Sequence, residues 1–265
     1  MTFEDPRLAA WVDAVVARHT SSFSRPEFLK AVRALSSRYV QQRAALPGRS
    51  PLDSPGKRAA FAGFYGPLHL LTSYVALRQL LPGRPVPAEV HDLGAGTGVA
   101  GAAWALASAA PPRLTCVDLN SWVLNEARWN LRTLGLTGRT HRGDLVEALA
   151  RVLRHTQNLS ATGIICGWSL NELAAPPRDQ ALAHLLDAAS RGAQVVVIEP
   201  VATSAVPWWA AWESRATAAG ARADLWRIDD ALPPALASLD RDAGFDREAL
   251  TARSVHFSGA GVGLR

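Results

Sequence analysis

Cysteine is almost missing from this chain: Cys116 and Cys166 are the two present in 265 residues. Two thiols cannot complete a four-ligand zinc or iron–sulfur site, so no metal is expected. Each sits in an apolar, strand-like run, where a reduced core residue is expected rather than a disulfide. Lysine is nearly absent too, since Lys30 and Lys57 are the exceptions among 28 cationic side chains. GC-rich coding produces that arginine bias by itself, so it does not single out a polyanionic partner. No run reaches the ~18 apolar residues of a helical membrane span, which excludes that class. The opening Met1-Thr2-Phe3-Glu4-Asp5-Pro6 has no basic n-region or apolar stretch, and a cytoplasmic protein is expected. Apart from alanine richness there is no low-complexity segment and no internal repeat. With 48% apolar and 19% charged residues, the composition is that of a globular chain able to bury a full core.

The charge that is present is uneven. Residues 1–85 hold 12 Lys or Arg against 5 Asp or Glu, net +7, and the remainder is net −2. In this basic third, Leu8, Trp11, Val12, Val15 and Val16 follow the i, i+3, i+4, i+7, i+8 stripe of an amphipathic helix. Ser24-Arg25-Pro26-Glu27 gives a capping box, after which Phe28, Val32, Leu35 and Tyr39 continue one helix face. Residues 47–56 have loop composition, and a third helical stretch runs from about Lys57 to Leu81, with a kink or restart at Gly66-Pro67. Residues 1–85 therefore read as a helical appendage, a lid or substrate-recognition region, and 86–265 as the main domain. If the appendage holds RNA phosphates, Arg33, Arg43, Arg49, Lys57 and Arg58 are the expected contacts. A solvated basic face is the plainer alternative.

From Ala88 strands and helices alternate: Val90–Asp92, Arg113–Asp118, Thr140–Arg142, Gly163–Trp168 and Gln194–Glu199, each followed by a helical pattern. Five such units predict an α/β fold with a doubly wound, parallel sheet, whose ligand sits at the carboxyl ends of the strands. Ala223–Ile228 and Ala252–Phe257 can supply two further strands, with a helix around Pro233–Asp242 between them.

The most informative stretch is Val90-His91-Asp92-Leu93-Gly94-Ala95-Gly96-Thr97-Gly98: an apolar strand, a carboxylate, then three alternate glycines that let backbone approach a ligand. Gly96-Thr97-Gly98-Val99-Ala100-Gly101 also fits the dinucleotide fingerprint. A dinucleotide, however, sets an anionic pyrophosphate on the helix amino terminus, where a preceding Asp92 opposes it. S-adenosylmethionine has no phosphate and carries an ammonium and a sulfonium, so the same carboxylate attracts it. Asp118, 20 residues past Gly98, ends the second strand where either cofactor needs an acceptor for ribose hydroxyls. Asp144 ends the third, and helix capping is its plainer role.

With Asp92, Asp118 and Asp144 each closing a strand in order, the chain resembles the class I S-adenosylmethionine-dependent methyltransferases. Within them it resembles the mitochondrial small-ribosomal-subunit methyltransferase-like family and its bacterial relatives, over about residues 55–200. The matching residues are Arg58-Ala59-Ala60-Phe61 leading to Tyr65-Gly66-Pro67, the glycine loop followed by Trp104-Ala105, Trp168-Ser169-Leu170-Asn171-Glu172-Leu173, and Val197-Ile198-Glu199-Pro200. The resemblance implies a seven-stranded, mostly parallel Rossmann-like sheet with the last strand antiparallel. It implies S-adenosyl-L-methionine held by Asp92, Gly94, Ala95, Gly96, Gly98, Asp118, Leu119, Asp144, Leu145 and Trp168. It also implies ribosomal or other RNA, or the small ribosomal subunit, as partner. Members typically carry cysteines for an iron–sulfur cluster near the carboxyl terminus, and here none follows Cys166.

On the acceptor side the candidates are Asn171 and Glu172 after the fourth strand, Glu199 after the fifth, and Tyr65 and His69 from the helix expected to cover the cofactor. Neither an Asn-Pro-Pro-Tyr motif nor a catalytic cysteine of the carbon-5 RNA type is present. Trp208, Trp209 and Trp212 follow the fifth strand, as an aromatic acceptor wall or as packing. The alternatives are a small-molecule methyltransferase and a ribosome-assembly factor that binds the cofactor without turnover.

Overall fold

A computed structural model describes residues 3, 5–41, 52–155 and 158–259. In chain order the helices are α1 (Pro6–Thr20), α2 (Arg25–Gln41), α3 (Pro55–Ala60), α4 (Gly66–Leu80), α5 (Val99–Ala107), α6 (Ser121–Thr133), α7 (Leu145–His155), α8 (Ala175–Ser190), α9 (Trp209–Ala218) and α10 (Pro234–Asp242). The strands are β1 (Glu89–Leu93), β2 (Arg113–Asp118), β3 (Gly138–Arg142), β4 (Thr162–Gly167), β5 (Gln194–Glu199), β6 (Arg222–Ile228) and β7 (Leu250–Ser258). They fall into two compact units, Met1–Leu71 with Ile228–Leu250, and Thr72–Arg227 with Thr251–Arg265. No described helix is long and apolar enough to cross a membrane.

The first unit is helical. Asp5 caps α1 by accepting from the Arg7 N–H at 2.9 Å, and the stripe Leu8, Trp11, Val12, Val15 is buried with Phe28, Val32 and Leu35 of α2. Glu27 Oε2 accepts from both the N–H and the hydroxyl of Ser24, at 2.8 and 2.6 Å, which fixes the start of α2. The expected break at Gly66-Pro67 takes the form of a π-helical turn, Phe61–Tyr65, closed by Gly66 N–H on the Phe61 carbonyl. Pro67 has no N–H to give to the preceding turn, so the extra residue is absorbed there. Gly63 lies in that turn, and a Cβ on it would come to 2.8 Å from His19 Cβ, so glycine lets α1 approach. From the far end of the chain Arg247 pairs with buried Asp240 and stacks on Phe64 and Phe245. Of the expected phosphate contacts, Arg33 donates to the Asp242 carbonyl at 3.3 Å, Lys57 pairs with Asp53 at 2.8 Å and Arg58 donates to the Leu52 carbonyl at 3.0 Å. Arg43 and Arg49 lie outside the described residues, as does half of the 47–56 loop.

The second unit is built on a seven-stranded sheet in the order β3-β2-β1-β4-β5-β7-β6. β1 runs parallel to both β2 and β4, β2 to β3 and β4 to β5, whereas β7 is antiparallel to β5. This is the α/β Rossmann-like sheet that the strand–helix alternation and the resemblance predict. Successive strands from β1 to β3 build outward one way and those from β4 the other, so the order reverses between β1 and β4. Loops leaving those two strands diverge and open a crevice there. β4 and β5 are buried on both faces, as their unbroken apolar runs require. One face packs Ile164, Val195 and Val197 against Leu149, Leu182 and Leu185. Cys116 and Cys166 are fully buried free thiols in β2 and β4, and burial holds both in the neutral form.

Candidate functional site

The crevice between β1 and β4 is lined by the glycine loop. Gly94, Gly96 and Gly98 all have positive φ, at 67, 51 and 75°, a region that side chains with a Cβ rarely adopt. Two of them are also short of space. A Cβ on Gly94 would lie 2.5 Å from Ser169 Cβ, and one on Gly98 would lie 3.0 Å from Ala127 Cβ of α6. The loop is pinned from both sides: Ala95 N–H donates to the Val117 carbonyl at 2.9 Å, and Ser169 Oγ donates to the Leu93 carbonyl at 3.0 Å. Buried Asn130 of α6 donates to the Thr97 carbonyl at 2.9 Å. Ser169 and Asn130 are loop supports that the spacing of charged and glycine residues did not single out, because polar braces of this kind have no sequence period.

Asp118 stands at the end of β2 and binds the loop directly. Its Oδ2 accepts from Gly96 N–H at 2.9 Å and its Oδ1 from Asn120 N–H at 2.8 Å. Burial raises its pKa, and the N–H groups of Asn120, Gly96 and Leu119 oppose the shift by stabilising the anion. Beside it Leu119 is 62% exposed, a large apolar side chain open to solvent.

Asp92 is placed differently from a surface carboxylate. It is wholly buried, its Oδ2 accepts from Gly101 N–H in α5 at 2.8 Å, and its Oδ1 has no hydrogen-bond partner among the described residues. A Cβ on Gly101 would come to 2.9 Å from Asp92 Oδ2. The third glycine of the dinucleotide-like pattern therefore makes room for a carboxylate. Desolvation pushes the Asp92 carboxyl up to about 7, with the nearby Asp118 adding to the shift and the Gly101 N–H opposing it.

Asp144 Oδ1 accepts from the N–H groups of Val146 and Glu147 at 2.8 and 3.0 Å, which makes it the amino-terminal cap of α7. Leu145 belongs to the apolar core. Trp168 follows β4 directly and has φ of 54°, uncommon for a bulky residue, with its N–H donating to the Ile198 carbonyl at 2.8 Å. Strain of this kind concentrates at functional sites, and Trp168 turns the chain from β4 towards Ser169 and the glycine loop.

Glu199 organises the corner beyond the carboxyl ends of β4 and β5. It is fully buried at the end of β5, and Oε1 accepts from the N–H groups of Leu170 and Asn171 at 3.0 and 3.2 Å. Oε2 accepts from Asn171 Nδ2 at 2.6 Å. The short 3-10 turn Leu170–Glu172 is thus held on Glu199, while α8 begins only after Ala174, so Asn171 and Glu172 do not cap it. Glu172 is exposed. Of the tryptophans after β5, Trp209 and Trp212 are core residues, as packing predicts, and Trp208 is half-buried.

Tyr65 and His69 belong to the helical unit. The Tyr65 hydroxyl donates to the Val32 carbonyl at 3.3 Å, and burial raises its pKa. Burial, with a smaller contribution from the Arg247 charge, lowers His69 to about 3, so its ring is neutral and weakly basic near pH 7. No group of three His, Cys, Asp or Glu side chains that could hold a metal occurs among the described residues.

No protein-family model matches the chain, and no curated protein matches it in sequence. Among solved structures it is similar to a SAM-dependent methyltransferase from Agrobacterium tumefaciens, at 15% identity over 72% of this chain and 62% of that one, with a TM-score of 0.48. It is similar to precorrin-8w decarboxylase from Methanobacterium thermoautotrophicum, at 17% identity over 69% and 89% of the two chains, with a TM-score of 0.45. It is also similar to a SAM-dependent methyltransferase from Aquifex aeolicus, at 15% identity over 72% and 92%, with a TM-score of 0.43.

Proposed function

We propose that the chain is an S-adenosyl-L-methionine-dependent methyltransferase acting on a small-molecule acceptor. The observation that carries the cofactor is the Asp118 carboxylate bonded to the glycine loop at the strand-order reversal, with exposed Leu119 beside it. The residues fit an adenosine: Asp118 has lone pairs for ribose hydroxyls, Leu119 offers an apolar face to a base, and the positive-φ glycines let main chain come close. Above pH ~7, where Asp92 is ionised, its carboxylate under the first turns of α5 disfavours a pyrophosphate there. When bound, the cofactor supplies a methyl group on a sulfonium. The chain's own part is alignment, since in-line displacement on an already nucleophilic acceptor needs little acid–base help. Asn171, its Nδ2 committed to Glu199, is left with Oδ1 as an acceptor for an N–H or O–H of the substrate.

An RNA acceptor is the second reading. It is supported by the net +7 of residues 1–85 and by the resemblance to the ribosome-linked family. Calorimetry with S-adenosylhomocysteine and with NAD tests the cofactor. Saturable binding of the former, weakened roughly tenfold or more in Asp118→Ala, is expected, because charge-assisted hydrogen bonds contribute about 1.5–3 kcal/mol each. Binding of NAD instead, or an unchanged affinity in the variant, overturns it.

A further inference from the structure

Beyond the carboxyl ends of β4 and β5 five side chains touch in series. The guanidinium of Arg178, in the first turn of α8, lies 5.3 Å from the Trp208 ring centroid. The rings of Trp208, Trp209 and Trp212 are 5.6–6.2 Å apart. The guanidinium of Arg253, on β7, lies 5.7 Å from the Trp209 centroid. Each arginine also holds a loop of the acceptor side. Arg178 Nη1 donates to the Leu173 carbonyl at 3.4 Å, next to the turn that carries Asn171, and an Arg253 Nη donates to the carbonyl of Val201, just beyond Glu199.

The polar inventory of this cluster is one-sided. Trp209 Nε1 has an acceptor in Glu213. Trp208 Nε1, Trp212 Nε1, Arg178 Nε and Arg253 Nε are buried with no hydrogen-bond partner among the described residues. Asp179 approaches Arg178 Nε only to 3.8 Å and is itself exposed, which is ion-pair distance and too long for a hydrogen bond. All four groups are donors, and none can accept. Buried polar groups in folded proteins are nearly always satisfied, so four orphan donors in one aromatic cluster mark a deficit of acceptor oxygens. Carboxylate and phosphate supply acceptor oxygens, and these match the planar guanidinium fork. Arg178, Trp208 and Arg253 are not sealed in, and their outer parts reach the surface.

We propose that this corner is an oxyanion subsite, in which Arg178, Arg253, Trp208 and Trp212 hold a carboxylate or phosphate carried by the methyl acceptor. It deepens the small-molecule reading and rests on it, because it is the acceptor-side position of the cluster that makes the anion part of the substrate.

The test uses the full chain labelled with nitrogen-15 and the indole N–H signals of its nine tryptophans, with Trp208→Phe and Trp212→Phe to assign the two concerned. Sodium phosphate and sodium acetate are titrated separately against sodium chloride at equal ionic strength. Saturable shifts of the Trp208 or Trp212 signal with phosphate or acetate, absent with chloride and lost in Arg178→Met and Arg253→Met, are expected. Which anion saturates identifies the group. No saturable shift with either, or shifts that persist in both arginine variants, overturns the subsite. S-adenosylhomocysteine calorimetry on the same sample separates the two failures. If that ligand binds and the anions do not, only the subsite falls. If it does not bind, the methyl-transfer reading falls, whatever the anions do. Anion binding that displaces S-adenosylhomocysteine also overturns the proposal, because the acceptor and the cofactor must be held together.

Discussion

Asp92 gives the fold a pH dependence whose sign can be worked out. Its carboxyl has an ordinary value of 3.8 and is pushed up to about 7 by burial. Below pH ~4 it is protonated in folded and unfolded chains alike and contributes no slope. Between about 4 and 7 the unfolded chain releases the proton while the folded chain keeps it. The folded state then binds more protons, so stability falls as pH rises, by about 1.4 kcal/mol per unit. The loss approaches 4 kcal/mol near neutrality, on the order of three units, and is flat above that. Asp92→Asn removes the titration. Its amide oxygen can still accept from Gly101 N–H, but its NH2 has no acceptor, a pH-independent cost of about 1–3 kcal/mol. Wild type is therefore the more stable near pH 4, and the variant draws level or passes it by pH 8. Denaturant unfolding followed by far-ultraviolet circular dichroism, repeated across this range, gives the difference between the two, in which the other titrating groups largely cancel. That difference should change by about 2 kcal/mol between pH 5 and 7. If instead it stays constant within about 0.5 kcal/mol, the usual limit for independent sites, Asp92 is not held in its raised state and the reasoning fails.

Gly94→Ala, at a φ of 67° and with its new Cβ 2.5 Å from Ser169, should cost about 1–3 kcal/mol in thermal unfolding, and Ser169→Gly should recover part of it. An unchanged melting temperature would count against the close packing of β1 on β4. Glu199→Ala strands the Leu170, Asn171 and amide donors and should destabilise by about 3 kcal/mol or more, with Glu199→Gln between it and wild type; equal unfolding midpoints for all three proteins would refute that role. For the RNA reading, changing Arg43 and Arg49 together to Ala should flatten the salt dependence of RNA binding by roughly one unit or more without changing cofactor affinity. Filter binding that shows no salt-dependent affinity in the wild type removes the second reading.

The local periodicities were enough to place the elements. Apolar runs bounded by Asp, Gly and Pro mark β2 and β5 at their observed limits, Arg113–Asp118 and Gln194–Glu199, because strands buried on both faces are apolar almost throughout, with Thr115 the exception inside β2. The i, i+3, i+4 stripe gives α1, and the missing N–H of Pro67 locates the break before α4, though not that it takes a π-helical form. The glycine loop and Asp118 were legible because positive φ and a strand-end carboxylate are written in single residues. Other features depend on which chain segments meet. That Gly101 exists for Asp92, that Ser169 forbids a Cβ on Gly94, and that Glu199 holds Asn171 follow from packing between residues 9, 75 and 28 positions apart. The helical unit takes Ile228–Leu250 from the other end of the chain, and no pattern along the sequence signals that closure. The unpaired donors of Arg178, Trp208, Trp212 and Arg253 likewise emerge only once α8, α9 and β7 are brought together, since satisfaction of a polar group is a property of its neighbours in space.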